Sequence, residues 1–189
     1  MTLPHIRPLP TPWPKLQNRW LWRTAIGLAV LTFLVAACGG DNEPKAPDFQ
    51  LTQFDGSEFR LANQARENLV VLNFWYPTCA PCREEMPAFE SAWKLFQGEE
   101  ANVKFLGIFV PQGFDSEQDA RDFVSELGLT YGFATDIRAR VAEMFQIQAY
   151  PTTVFIDDSG RVFRTFVSAL DEEELVGMVL EMAGGRTGG

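Results

Sequence analysis

The sequence has very little histidine and cysteine. Its 189 residues include one histidine, His5, and three cysteines, Cys38, Cys79 and Cys82. A zinc finger or a histidine-based metal site needs several such ligands, so the lack of histidine beyond His5 argues against one in the body of the chain. A scaffold stapled by several disulfides is also excluded, because only one adjacent pair of cysteines is present. Two possibilities remain for Cys79 and Cys82: redox chemistry, or a metal site of two cysteines plus carboxylates.

Basic residues are scarce beyond the N-terminal region. Residues 1–37 hold four of the 16 Lys and Arg residues and none of the 25 Asp and Glu residues. The rest of the chain therefore carries 12 basic and 25 acidic residues, a formal charge of −13. Phosphate binding needs clustered Lys and Arg, so this balance argues against a nucleic-acid partner. The length and the hydrophobic content of 46% suit one well-packed domain.

The apolar run near the N-terminus is short. It covers the 13 residues 25–37 and follows Arg19 and Arg23, whereas a spanning helix needs about 20 residues. A charged region, an apolar core and small residues at its end are typical of a secretory signal. An uncleaved, short membrane-inserted helix is the alternative.

Residues 34–40, Leu-Val-Ala-Ala-Cys-Gly-Gly, resemble the bacterial lipobox. In that motif the cysteine, here Cys38, becomes the lipidated N-terminus after cleavage, so a domain anchored to the membrane outside the cytoplasm is predicted. The predicted organisation is a lipoprotein signal peptide (1–37), a flexible linker (38–47), one folded domain (48–183) and a flexible tail (184–189).

Hydrophobic periodicity predicts an α/β fold with a mixed central sheet flanked by helices. Crossover helices imply parallel strand pairs, and the final pair of strands is predicted to be an antiparallel hairpin around Gly160. The predicted elements, in order, are a hairpin around Asp55-Gly56, strand 69–75, a helix after the cysteine pair as far as Gln97, strand 103–110, helix 116–127, strand 130–134, helix 139–145, strands 152–156 and 162–167, and helix 171–182.

Cys79-Ala80-Pro81-Cys82 stands between a predicted buried strand and a predicted helix. The free N–H groups and the dipole of the first helical turn favour a thiolate there. Cys79 is therefore predicted to be the exposed nucleophile, and Cys82 the shielded cysteine that resolves the mixed disulfide. Pro81 removes a backbone donor that would lack a partner and stiffens the loop.

Glu85 is the predicted proton acceptor and donor for the pair. It lies three residues after Cys82, near the same helical face, and it is flanked by Met86 and Pro87. Partial burial there would raise its pKa toward a useful range. The alternative is that Glu85 is an ordinary surface residue of the first helical turns; Glu84 is the competing carboxylate.

These motifs resemble the thioredoxin superfamily, specifically its TlpA/ResA-like membrane-anchored thiol-disulfide oxidoreductases. The resemblance covers nearly all of residues 46–183. It rests on the motifs Ala46-Pro-Asp-Phe49, Val71-Leu-Asn-Phe-Trp75, Cys79-Ala-Pro-Cys82, Glu85-Met-Pro87 and Tyr150-Pro-Thr-Thr-Val-Phe-Ile-Asp157.

The resemblance implies a thioredoxin-like fold with an N-terminal hairpin and a central αβ insertion at residues 114–136. It implies a Cys79–Cys82 disulfide and a cis-proline at Pro151 packed against it, although most X-Pro bonds are trans. Asn73 stands where plain thioredoxins carry a buried Asp, and Glu85 matches the acid that this branch uses instead.

The same resemblance places substrate contacts around the cysteine pair, at Trp75, Thr78, Pro81, Tyr150 and Pro151. Two residues depart from the family pattern: Thr78 replaces a common Trp, and Tyr150 replaces a smaller residue. Substrate specificity is therefore where the resemblance predicts least.

The resulting hypothesis is a monomeric, lipid-anchored oxidoreductase that uses no cofactor. It would reduce disulfides of extracytoplasmic proteins, for example in cytochrome c or copper-site maturation, and would be re-reduced by a membrane thiol donor. Two alternatives remain: a thiol peroxidase, because the start at residues 46–49 also resembles peroxiredoxins, and a module that carries copper(I) on the cysteine pair.

Overall fold

The structure is a computed structural model that describes residues 44–99 and 101–184. The predicted signal peptide, Cys38, the first part of the predicted linker and residues 185–189 lie outside the described residues. Within the described ranges, none of the helices combines the length and the hydropathy needed to cross a membrane.

Seven strands are present in the described part of the chain. They are β1 (Gln50–Thr52), β2 (Glu58–Arg60), β3 (Leu69–Trp75), β4 (Val103–Phe109), β5 (Gly132–Thr135), β6 (Thr152–Ile156) and β7 (Val162–Val167). β1 and β2 form the predicted N-terminal hairpin, and the other five form a sheet in the order β5–β4–β3–β6–β7. β3, β4 and β5 are parallel, while β6 is antiparallel to both β3 and β7. The predicted mixed sheet is confirmed.

Within residues 44–99 and 101–184, five helices connect or follow these strands. They are α1 (Leu61–Gln64), α2 (Ala80–Gly98), α3 (Glu117–Glu126), α4 (Arg140–Met144) and α5 (Glu172–Gly184). Ser116 is the N-cap of α3: its hydroxyl accepts the Asp119 N–H, and the Asp119 carboxylate accepts the Ser116 N–H. The four residues of α1 were not predicted, because a single helical turn is too short to show a 3.6-residue period.

The sheet is covered on both faces, which explains why all seven residues of β3 are buried. Alternate residues of β3 point to opposite faces. One face packs against α2, α3 and α5 and includes Val71 and Trp75. The other packs against the hairpin, α1 and α4 and includes Leu72 and Phe74.

The described end of the predicted linker belongs to the folded domain, which corrects the boundary placed at residue 48. Ala46 N donates to Gly160 O at 2.9 Å, Val162 N donates to Pro44 O at 3.0 Å, and Lys45 forms an antiparallel bridge with Arg161. Polar residues and prolines made this segment resemble a free linker, but its backbone groups pair with the turn between β6 and β7.

Candidate active site

Cys79 and Cys82 lie where β3 leads into α2 and form a disulfide, with their Cα atoms 5.2 Å apart. Cys79 is the N-cap residue of α2, and its sulfur accepts the Cys82 N–H at 3.2 Å. The sulfur therefore takes the place that a side-chain oxygen usually takes at a helix N-terminus. Pro81 lies in the first turn, as the loop chemistry predicts, and the residue is exposed.

The two cysteines differ in accessibility less than predicted. Cys79 is 4% exposed and Cys82 is 0% exposed. The prediction of an exposed Cys79 is wrong for this disulfide state, because the bond holds its sulfur against the first turn of α2. Cys79 is still the more accessible of the two residues.

Glu85 lies one turn of α2 beyond Cys82 and is 2% exposed. Its Oε1 accepts a hydrogen bond from Asn73 Nδ2 at 2.8 Å, and its Oε2 accepts the Leu170 N–H at 3.1 Å. Burial raises the pKa of Glu85 to about 7, and the bonds from Asn73 and Leu170 partly oppose that rise. The surface-residue alternative for Glu85 is therefore wrong.

Asn73 and Thr153 extend this buried polar group into the sheet. They face each other across β3 and β6, and Asn73 Nδ2 also contacts Thr153 Oγ1 at 3.2 Å. Roles for Thr153 and Leu170 were not predicted from the sequence. The sequence does contain one sign of this buried polar group, since Asn73 is the single amide in an otherwise apolar strand. The Leu170 contact is made by a backbone N–H, so no residue type in the sequence indicates it.

The Tyr150–Pro151 peptide bond is cis, as the family resemblance implies. Thr152 pairs with Phe74 near the end of β3, so Pro151 lies beside the point where the chain turns toward Cys79. Pro151 is buried, whereas Tyr150 is half-buried.

Tyr150 contacts a second aromatic residue that the sequence analysis did not single out. Its ring packs edge to face on Tyr76, with 5.3 Å between the ring centroids. Burial raises the pKa of Tyr150, and the charges of Asp136 and Tyr76 act in the same direction. The two rings therefore join the loop before Cys79 to the loop before Pro151.

Trp75 is placed differently from the prediction. Its side chain is 0% exposed and packs against Phe109, Phe123 and Phe133 in the core. As the last residue of β3, it points to the face covered by α2 and α3, so it supports the site from beneath and presents no surface to a substrate.

Thr78 is exposed directly before Cys79, and its hydroxyl donates to Asp115 Oδ2 at 2.8 Å. Asp115 belongs to residues 114–136, the predicted insertion, which contains α3 and the edge strand β5. The preceding residue, Phe114, is fully exposed. The insertion thus forms part of the surface next to the disulfide.

A model of the AhpC/TSA family matches residues 43–164. The chain is 28% identical over 173 residues to the thiol-disulfide oxidoreductase ResA of Geobacillus thermodenitrificans, covering 85% of this chain and 94% of that protein. It is 31% identical over 131 residues to the thioredoxin-like protein YneN of Bacillus subtilis, covering 69% of this chain and 74% of that protein.

Among solved structures, the fold is similar to that of an exposed lipoprotein thioredoxin of Streptococcus pneumoniae. The TM-score is 0.61 at 26% identity, with 71% of this chain and 99% of that chain covered. Together with the disulfide at the N-terminus of α2 and the buried Glu85, these similarities identify the chain as a thiol-disulfide oxidoreductase of the AhpC/TSA family, in the TlpA/ResA-like branch of the thioredoxin superfamily.

Proposed function

We propose that this oxidoreductase reduces disulfides of other proteins outside the cytoplasm while anchored to a membrane. The observation that carries the proposal is the Cys79–Cys82 disulfide at the N-terminus of α2, one turn from a buried carboxyl group.

Cys79 is the attacking sulfur. Cys79 is the N-cap residue, and its Sγ accepts the backbone N–H of Cys82. Cys79 is also the more accessible of the two cysteines. Helix N-termini stabilise thiolates and lower the thiol pKa. The reduced protein attacks a substrate disulfide with the Cys79 thiolate, forms a mixed disulfide and releases one substrate sulfur as a thiolate.

Cys82 completes the reaction. Its thiol gives a proton to Glu85 and its sulfur attacks Cys79 Sγ, which releases the second substrate sulfur and forms the disulfide seen here. The substrate gains two electrons and leaves as two thiolates, which take protons from water; the enzyme pair loses the two electrons, and the Cys82 proton stays on Glu85. A membrane thiol donor then restores the dithiol by the reverse exchange.

Glu85 suits this proton transfer because its pKa of about 7 allows either charge state near neutral pH. Asn73 and Leu170 hold the carboxylate in place on the Cys82 side of α2. In the proposal, Glu85 receives the Cys82 proton during reduction of the substrate and returns it when the pair is re-reduced.

Substrate contacts are proposed at Thr78 and Pro81, which adjoin the cysteines in the chain, and at Tyr150 and Pro151, which precede the strand paired with the end of β3. Thr78 and Pro81 are exposed on the helix side, and Tyr150 is partly exposed on the cis-proline side. Trp75 is removed from this set because its side chain points into the core, where it packs against Phe109, Phe123 and Phe133.

The proposed anchor is a lipid on Cys38, with cleavage after residue 37. The lipobox-like residues 34–40 support it, and the pneumococcal protein of similar fold is itself described as an exposed lipoprotein. Proteins maturing cytochrome c or copper sites are the proposed substrates, and a monomer is proposed. The peroxidase and copper-carrier alternatives are not favoured, since the relative ResA is a thiol-disulfide oxidoreductase.

Trapping the partner tests the function. Without the resolving thiol, Cys82→Ser is expected to accumulate mixed disulfides on Cys79, which mass spectrometry of the full-length membrane-bound chain identifies. The matched control, Cys79→Ser, keeps Cys82 but loses the attacker and is expected to trap much less. If Cys79 of the Cys82→Ser variant carries no partner protein, the assignment of the nucleophile is wrong.

The direction of transfer has its own measurement. A reductase requires a low reduction potential, whereas DsbA, a strong oxidant, has a potential of about −120 mV. A potential for the Cys79–Cys82 pair near the DsbA value would contradict the reductase proposal.

A further inference from the structure

Asn73 is a buried amide in the middle of an apolar strand. It is 1% exposed, and all the other residues of β3 are apolar. The alternation of the strand points its side chain toward α2, on the same face as Val71 and Trp75. Thr153 lies directly opposite on β6.

The hydrogen bonds of the Asn73 amide are uneven. Its Nδ2 donates both to Glu85 Oε1 at 2.8 Å and to Thr153 Oγ1 at 3.2 Å. Its Oδ1 is buried and accepts no hydrogen bond from any residue that the structure describes. Because buried polar atoms are nearly always paired, an orphaned acceptor in this position calls for an explanation.

The carboxyl group of Glu85 gives one. Ionised, it accepts from Asn73 Nδ2 and from the Leu170 N–H, and both donors are used. Neutral, it carries an O–H that needs an acceptor, but both groups facing it are donors. The Leu170 N–H is fixed in the backbone. The Asn73 amide can exchange its oxygen and nitrogen by a half-turn about its Cβ–Cγ bond.

We propose that the Asn73 amide turns with the charge of Glu85, donating to the ionised carboxylate and accepting from the neutral carboxyl group. This inference rests on the proposed function, in which Glu85 takes up and returns the Cys82 proton. The Thr153 hydroxyl follows either state, since it accepts from Nδ2 in one and donates to Oδ1 in the other. Asn73 is thus a positioning residue for the proton transfer.

The other groups around Glu85 do not supply an alternative response. On α2, Cys82 is held in the disulfide, and none of the ion pairs found in the described ranges includes Glu85. On the strand side, the charge of Glu85 and, more strongly, burial raise the pKa of Tyr131 well above its usual value. The Tyr131 hydroxyl contacts Met86 Sδ at 2.9 Å. The segment before α5 contributes the Leu170 N–H.

The direct test is side-chain NMR on the oxidised full-length chain in detergent micelles, titrated from about pH 5 to 9. The Asn73 amide protons are assigned by their loss in Asn73→Asp, which keeps the shape of the side chain. Their cross-relaxation with Thr153 is expected to be strong above the titration midpoint of the Glu85 carboxyl carbon and weak below it. In Glu85→Gln, which cannot titrate, the Asn73 signals are expected to be independent of pH.

Two results overturn the inference: Asn73 signals that stay constant while Glu85 titrates, or a Glu85 carboxyl carbon that does not titrate in this range. A purely structural Asn73 gives the first result. The measurement needs no substrate, so it is independent of partner trapping on Cys79: failure to trap a partner overturns the function, and constant Asn73 signals overturn only the amide turn.

Discussion

Burial raises the pKa of Glu85 and hydrogen bonding lowers it, and the effect of burial is the larger. The carboxyl group is 2% exposed, and the two donors that contact it only partly restore the preference for the charged form. The free energy that the carboxylate loses on removal from water exceeds what the hydrogen bonds from two neutral donors restore. A carboxyl group of ordinary pKa is thereby moved into the range where it can both accept and return protons near neutral pH.

The first prediction concerns the pH dependence of catalysis. Glu85→Gln keeps the size and one acceptor oxygen but removes the proton site. We expect the rate of substrate-disulfide reduction near pH 7 to fall by about 10²-fold, the lower end of general acid–base contributions. The variant should also lose the inflection near pH 7, measured as single-turnover exchange against pH.

Glu84→Gln is the matched control for that experiment, because Glu84 is the exposed neighbour of Glu85 on α2. It should keep both the rate and the inflection. An inflection near pH 7 that survives in Glu85→Gln would assign the titration to another group.

The second prediction concerns stability. In the folded chain the pKa of Glu85 is about 7, against an ordinary 4.5, so between these values the folded state binds the proton and the unfolded state does not. The free energy of unfolding should therefore fall by about 3 kcal/mol from about pH 4.5 to 7 and level off above. Denaturant unfolding of the oxidised wild type and Glu85→Gln across this range measures the difference. Parallel curves for the two proteins would contradict the buried-acid assignment.

At the scale of elements, β4 leaves no space for a side chain at Gly107, next to the strand that leads into the site. Gly107 of β4 lies opposite Asn73 of β3. A Cβ added at Gly107 would stand 2.5 Å from the Phe133 ring and 3.2 Å from Trp75 Nε1. Since Phe133 is itself buried, its ring has little freedom to move away.

The third prediction follows from this close approach. Gly107→Ala is expected to destabilise the chain by about 1–3 kcal/mol through overpacking. Gly177→Ala, in the exposed interior of α5 with no heavy atom within 4 Å of the added Cβ, is expected to stabilise it by about 0.5–1 kcal/mol. Urea unfolding of both variants checks the pair; a Gly107→Ala variant as stable as the wild type would show that the core can relax there.

Element types were predictable because their patterns are local. The apolar run of β3 and the spacing of Met86, Phe89 and Phe96 in α2 identify a buried strand and an amphipathic helix, and both are confirmed. The pairing of Pro44 and Ala46 with the β6–β7 turn was missed, since backbone hydrogen bonds between distant segments leave no pattern in side-chain type.

At the scale of the whole molecule, the proposed lipid anchor would determine where the enzyme acts. The fourth prediction is that the mature chain begins at a lipidated Cys38. An alkyne fatty-acid label in growing cells should be incorporated into the wild type and into Cys79→Ser but not into Cys38→Ser. A label retained by Cys38→Ser would place the modification elsewhere, and an unlabelled wild type that still contains residues 1–37 would favour the uncleaved membrane helix.

The sequence alone determined the chemistry and the order of the elements, because both depend on residue types at short spacing. The Cys-x-x-Cys pair, the strand before it, the helix after it and Glu85 three residues beyond Cys82 are all local features. They sufficed to predict a redox site on an α/β fold, and the chain's family bears out that prediction.

Only the tertiary structure decided which side chains share the interior of the site. It placed Trp75 in the core, joined Glu85 to Asn73 and to the distant Leu170 N–H, and left Asn73 Oδ1 without a partner among the described residues. Burial and hydrogen bonding between segments 12 to 85 residues apart depend on how sheet and helices pack. Burial and those contacts determine the pKa of Glu85. No local sequence pattern predicts the contacts.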